Sequence, residues 1–212
     1  MSHPVYFLGI DLGSSSVKTT LFDSEKGITI DSITYPDKEM KIISKNKGWA
    51  EQDPNYWWDC IKKSLNILKN KNDFSLVKSI GVSYQMHGLV AIDKRGKPLI
   101  PSIIWCDSRA VEIGDKAKKE INKEIIEKNL LNSPGNFTAS KIKWVMENDP
   151  KTYSKIYKVM LPGDYISYKL TGEISTTASG LSEGTMWDFE TNSISSDILN
   201  HYSIDDKIIP DL

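Results

Sequence analysis

The chain has 212 residues, 39% apolar and 26% charged, with 27 basic against 28 acidic side chains and a net charge of −1. That is enough chain for one large domain, or one and a half small ones, around a real core. The charge balance excludes a nucleic-acid partner held by counterion release, and no apolar run is long enough to span a bilayer, so no membrane partner is expected.

The opening stretch GIDLGSSSVKTTLFD reads as two strands, residues 5–10 and 17–22, around a tight polar turn at residues 11–16. Gly13 permits a sharp bend and a close ligand approach, while Ser14, Ser15 and Ser16 offer hydroxyl and backbone donors that suit phosphate oxygens. Lys18 adds a point charge, and Asp11 at a strand end could hold Mg2+ directly or through water. An ordinary hairpin turn with solvated serines fits the same spacing. Residues 28–35 form a third strand after Gly27, completing a meander, and residues 37–47 read as loop.

Asp53 followed by Pro54 starts a helix whose Trp57, Ile61, Leu65 and Leu68 share one face. Trp57 reads as core, whereas Trp49, in the preceding loop, is open to lining a site. The next strand, residues 77–84, ends in Gln85, Met86, His87 and Gly88. Polar residues beside a glycine at a strand end suit a binding site: Gln85 and His87 would bond a polar small molecule, with Met86 as its apolar wall. A core histidine satisfied by backbone is the alternative. With His3 and His201, the three histidines are too scattered for a His-rich metal site, and Cys60 and Cys106 lack metal spacing. Two such cysteines and no signal peptide imply a reducing, cytoplasmic setting.

Strands follow at residues 89–93 and 101–105, the latter running into Cys106, Asp107, Ser108 and Arg109. Asp107 or Ser108 would cap a helix over residues 109–120. Residues 116–128 read as a solvated charged face, and residues 132–135 as a break. Residues 137–148 form a helix ended by Pro150, residues 157–161 a strand turned by Pro162 and Gly163, and residues 164–170 a short helix. Residues 173–187 are rich in Ser, Thr and Gly, and residues 196–202 are helical. The end, IIPDL, reads as lying between domains.

Six of these stretches, in order, resemble the FGGY carbohydrate kinases, and within them the xylulokinases. They are GIDLGSSSVK at 9–18, WAEQDPNYWW at 49–58, QMHG at 85–88, WCDSR at 105–109, FTASKIKWVMENDP at 137–150, and LPGDYISYKLTGE at 161–173 with GTMW at 184–187. The resemblance implies an α/β, ribonuclease H-like (actin-like ATPase) lobe: a mixed sheet with an initial antiparallel meander, flanked by helices. Residues 1–212 would be the N-terminal lobe, with ATP–Mg2+ and sugar in the cleft toward a second lobe outside this chain.

It implies that Asp11 places Mg2+ and phosphates, that Gly13, Ser14, Ser15, Ser16 and Lys18 line the phosphate path, and that Gln85, Met86, His87 and Asp107 contact the sugar. It also implies phosphoryl transfer from ATP to the 5-hydroxyl of D-xylulose, with kinases for L-ribulose, L-fuculose, gluconate or glycerol as rivals. A non-catalytic sugar-binding module is a further rival. Family members are often homodimers. Two departures stand out. GLSEGT carries Leu181 where the xylulokinase pattern has Asp, with Glu183 two positions on. The family's catalytic Asp belongs to a GGxDN-like motif that residues 1–212 do not contain, so this chain alone is expected not to turn over.

Overall fold

The computed structural model describes residues 4–212, and His3 lies outside them. The chain divides into two compact units: residues up to Ile42 with Pro54–Gln85, and Ile43–Asp53 with Met86–Leu212. Among the described residues, no helix is long and apolar enough to cross a membrane.

The first unit is built on β1 (Tyr6–Leu12), β2 (Val17–Asp23) and β3 (Ile28–Tyr35), an antiparallel meander. Burial alternates along β1 and β2, so each strand has one buried and one open face, with Phe7 and Phe22 on the open face and Thr19 and Asp23 on the buried one. Asp23 sets the turn between β2 and β3: its Oδ1 accepts from the N–H groups of Glu25 and Lys26 at 3.0 and 3.1 Å. The chain then contributes β4 (Glu51–Gln52) to the second unit and returns as α1 (Pro54–Lys71). Proline in the first turn and lysines in the last suit the helix ends, and Trp57, Ile61 and Leu68 are buried, as their spacing predicts. A strand β5 (Val77–Tyr84) pairs parallel to β1, giving the sheet order β3-β2-β1-β5. Leu8, Leu21 and Leu68 anchor the core between sheet and helix, each worth about 1.5–3 kcal/mol of burial.

The second unit carries short strands: β6 (Val90–Ile92), fully buried, pairs antiparallel with β8 (Lys158–Met160), and β4 pairs antiparallel with β7 (Ser102–Ile103). Around them lie α2 (Val111–Glu120), α3 (Thr138–Asn148), α4 (Pro150–Tyr153), α5 (Pro162–Thr171), α6 (Ala178–Glu183) and α7 (Ser196–Tyr202). A small hairpin pairs β9 (Trp187–Asp188) with β10 (Ser193–Ile194). Its core runs through Leu89, Ile142, Val145, Val159, Leu181, Ile198 and Tyr202.

Four local expectations change. Neither Asp107 nor Ser108 caps α2; Ala110 stands at that position without a side-chain cap, because the Asp107 carboxylate is engaged elsewhere. Pro162 does not turn the chain but opens α5, where Asp164 reaches back to the Leu161 N–H at 3.1 Å. The charged face at residues 116–128 is broken: α2 ends at Glu120 and a π-helical turn spans Ile125–Leu130. The Ser/Thr/Gly-rich stretch holds a helix, α6, because Thr177 Oγ1 accepts from the Gly180 N–H at 3.0 Å and supplies a cap.

Candidate functional site

The expected residues fall at two places, one in each unit. In the first, strand register brings together residues far apart in sequence. Asp11 stands opposite Lys18 on β2 and opposite Ser83 on β5. Its Oδ1 accepts a hydrogen bond from Ser83 Oγ at 2.8 Å, and the carboxylate is exposed. Beside it Gly9 and Gly81 face each other across the same two strands. No packing demands either glycine: a Cβ at Gly81 would meet nothing within 4 Å, and one at Gly9 only the Thr20 carbonyl at 3.9 Å. The result is a bare trough of about 440 Å³ lined by these residues with Ile10, Thr20 and Val82.

At the hairpin turn, Gly13 N–H donates to the Ser16 carbonyl at 3.0 Å and Met40 N–H to the Ser15 carbonyl at 2.7 Å. Gly13 is needed for closeness, since a Cβ would stand 3.1 Å from the Ser16 oxygen; its φ is not left-handed. Ser15 and Lys18 are exposed, Ser14 and Ser16 half-buried. The described residues hold no group of three or more His, Cys, Asp or Glu side chains suited to a metal ion. A lone exposed carboxylate beside a hydroxyl fits Mg2+ held mainly by its own waters and by phosphate oxygens.

The second place centres on His87. The chain passes between units at the Gln85–Met86 bond. Gln85 therefore belongs to the first unit, where its N–H donates to the Leu12 carbonyl at 2.8 Å, while Met86, 54% exposed, opens the second. His87 is left-handed at φ 57°. Its N–H donates to Glu183 Oε1 at 2.5 Å, and its carbonyl accepts from Lys141 Nζ at 2.5 Å. Its ring Nδ1 lies 3.2 Å from the Glu183 carbonyl oxygen and its ring packs on Phe137 at 4.3 Å. A carbonyl only accepts, so Nδ1 carries the proton and Nε2 keeps a lone pair for a ligand. Burial lowers the His87 pKa below its ordinary value and raises that of Glu183, which favours a neutral imidazole beside the carboxyl. Burial also drives the Lys141 ammonium down to about 8.

Asp107 is fully buried. Its carboxylate accepts from the Ala50 N–H at 2.6 Å and from Arg109 at 2.7 to 3.0 Å. In this geometry it holds Arg109 and presents no oxygen to a ligand, so its expected sugar contact is not what the structure displays. Arg109 also donates to Glu51 Oε1 at 2.8 Å, and its guanidinium lies 3.7 Å from the Trp49 ring and 4.9 Å from that of Trp144. Trp49 is thus engaged by Arg109 and by an edge-to-face contact with Trp144 at 5.2 Å. Three stretches far apart in sequence, around Trp49, Arg109 and Trp144, meet on one guanidinium.

Residues 6–212 match the family model described as the FGGY family of carbohydrate kinases, N-terminal domain. The chain belongs to the FGGY family. It is 35% identical over 209 residues to the xylulose kinase of Lactococcus lactis subsp. lactis, covering 98% of this chain and 41% of that protein. Among solved structures it superimposes on the xylulose kinase from Rhodospirillum rubrum with a TM-score of 0.87 and 25% identity, over 98% of this chain and 42% of that one. The gluconate kinase from Lactobacillus acidophilus gives 0.88 at 24% identity, over 99% and 42%, which bears on the fold alone. The chain spans about two fifths of the length of the curated relatives it matches. The α/β actin-like ATPase fold expected from the motifs is borne out by these FGGY kinase structures and by the mixed sheet.

Sequence reasoning missed Gly9, Thr20 and Ser83 at the trough, and Lys141, Glu51 and Arg109 in the second unit. Register alone locates the first three. For Lys141 the signal was present: a lysine three positions after Thr138, on the face that α3 buries.

Proposed function

We propose that this chain is the N-terminal, sugar-binding lobe of an ATP-dependent kinase that phosphorylates D-xylulose at its 5-hydroxyl. The observation that carries the reading is the QMHG segment: Met86 exposed beside an imidazole whose Nδ1 is tied back, leaving Nε2 as an acceptor for a sugar hydroxyl. The similarity to xylulose kinases over 98% of the chain supports the choice of sugar. Gln85 and Asp107 complete the proposed sugar side, Asp107 through Arg109 instead of by contact.

On the phosphate side, Gly13, Ser14, Ser15, Ser16 and Lys18 would meet ATP, with Asp11 placing Mg2+ through water. Mg2+ bound there would neutralise charge on the phosphates. Phosphoryl transfer asks the protein mainly for positioning and charge balance. Lys18 offers its ammonium to phosphate oxygens, the Ser15 hydroxyl donates to them, and the bare floor at Gly9 and Gly81 admits a bulky group without steric opposition. Removal of the sugar proton falls to a carboxylate that the motif pattern sets beyond residue 212. The same reading makes the enzyme cytoplasmic, with sugar and ATP as its partners and a homodimer as its assembly, which light scattering would test.

ADP release with D-xylulose, measured on this chain and on the longest product of its reading frame, tests the proposal. Turnover by the longer product alone supports a lobe of a xylulokinase. Response to L-ribulose, L-fuculose, gluconate or glycerol in place of D-xylulose keeps the kinase and discards the sugar. Turnover by the 212 residues alone overturns the division of labour between lobes.

A further inference from the structure

His87 has four polar groups, and three are held by only two residues. Glu183 takes both N–H groups, the main-chain one by its carboxylate and the ring one by its own carbonyl oxygen. Lys141 takes the carbonyl. The segment is fixed on the next residue as well: Thr138 Oγ1 donates to the Gly88 carbonyl at 3.3 Å, and a Cβ at Gly88 would stand 2.5 Å from Pro162 Cγ. Thr138 and Lys141 lie three positions apart, on one side of the first turn of α3. Glu183 ends α6.

We propose that Lys141 and Glu183 are positioning residues that clamp the main chain of His87 in its left-handed conformation and fix its ring tautomer, so that Nε2 is aimed at the sugar. This rests on the reading of QMHG as the sugar contact. A non-glycine residue avoids the left-handed region unless its surroundings hold it there, and such strain gathers at functional positions. The clamp supplies the hold from both sides of one residue. It also accounts for Lys141 itself: a lysine with no exposed surface is costly to bury, and its ammonium donates to a neutral carbonyl, not to a carboxylate. The Asp107 carboxylate favours the Lys141 charge electrostatically, but its hydrogen bonds go to Arg109 and the Ala50 N–H.

The test uses the whole kinase with Glu183→Ala, Glu183→Gln and Lys141→Met. Hydrogen exchange over residues 85–89, without ligand, reads the clamp directly. Glu183→Ala removes the acceptor and should speed exchange of the His87 amide by roughly tenfold or more, while Glu183→Gln keeps an amide oxygen and should restore most of the protection. D-Xylulose kinetics read the consequence: KM for the sugar should rise roughly 10- to 100-fold in Glu183→Ala and Lys141→Met, with KM for ATP moving by less than about twofold. Unchanged exchange in Glu183→Ala overturns the clamp whatever the substrate. Faster exchange with an unchanged sugar KM overturns its role in positioning. If the unaltered protein turns over no sugar in the panel, the kinase reading falls, and the exchange result still decides the clamp.

Discussion

The trough on the first unit and the His87 locus on the second are built in opposite ways. The trough is open, and strand register places its groups: Asp11, Lys18 and Ser83 neighbour one another because three strands pair as they do. One short side-chain bond, Ser83 to Asp11, ties them. The His87 locus is held by side chains from α3 and α6, with buried Lys141 and half-buried Glu183 on His87, while buried Asp107 and Arg109 form a second bonded group with Glu51. An open site of the first kind can lose a side chain and keep its fold. A buried polar network of the second kind cannot, because each member satisfies another's charge or hydrogen bond.

Arg109→Met should break the comparison most strongly. Its side chain is 3% exposed and answers both Glu51 and Asp107, so its loss leaves buried Asp107 without its cation and Glu51 with only Lys45 at 3.9 Å. Stability should fall by about 3–5 kcal/mol, read as a lower midpoint in thermal unfolding. Asp11→Asn is the counterpart in the trough. Its unfolding midpoint should move by less than the equivalent of about 0.5 kcal/mol. Its sugar-dependent turnover should drop on the order of 10²-fold, as expected when one preorganised electrostatic group is removed. A large loss of stability in Asp11→Asn would erase the distinction between the two places.

A pH titration sharpens the enclosed side. Burial raises the Asp164 carboxyl to about 6, against hydrogen bonds from Leu161 N–H and Thr176 that favour its charged form. The folded state therefore holds this proton more tightly than the unfolded chain. Its contribution is present below the unfolded value and is lost as pH rises through about 6. Stability should decline by roughly 2–3 kcal/mol over that window, and Asp164→Asn should flatten the slope. Denaturant unfolding at several pH values between about 4 and 7 measures it. The smallest effect belongs to Ser15→Ala. With an exposed hydroxyl removed, the midpoint should not move measurably, while KM for ATP should rise about three- to tenfold. An unchanged KM would remove Ser15 from the phosphate path.

Much of the architecture was legible locally. The two strands around the hairpin turn, the Asp53–Pro54 start of α1 and the spacing of Trp57, Ile61 and Leu68 follow from short-range propensity and helix periodicity, which neighbours within a few residues impose, although the apolar run at residues 5–10 did not foretell the open face with Phe7 and Gly9. Misreadings occurred where a residue's partner lies far along the chain. Asp107 has the composition of a cap, yet its partners include the Ala50 N–H, 57 residues away. Trp49 looked free to line a site, yet Arg109 stacks on it. Pro162 suits a turn and a helix start equally, and the reach of Asp164 to Leu161 selects the helix.

By itself the sequence determined the opening strands and the longer helices, the order of six kinase motifs and the residues that belong to them, because these depend on periodicity and short-range turn chemistry. Only the tertiary structure decided which of those residues are open and which are tied to other side chains. Register put Ser83 on Asp11 and bared the floor at Gly9 and Gly81; packing of α3 and α6 turned Lys141 and Glu183 onto His87 and drew Asp107 inward. The physical reason is that a buried polar group takes whatever partner folding brings within hydrogen-bond distance, and sequence separation does not limit that choice.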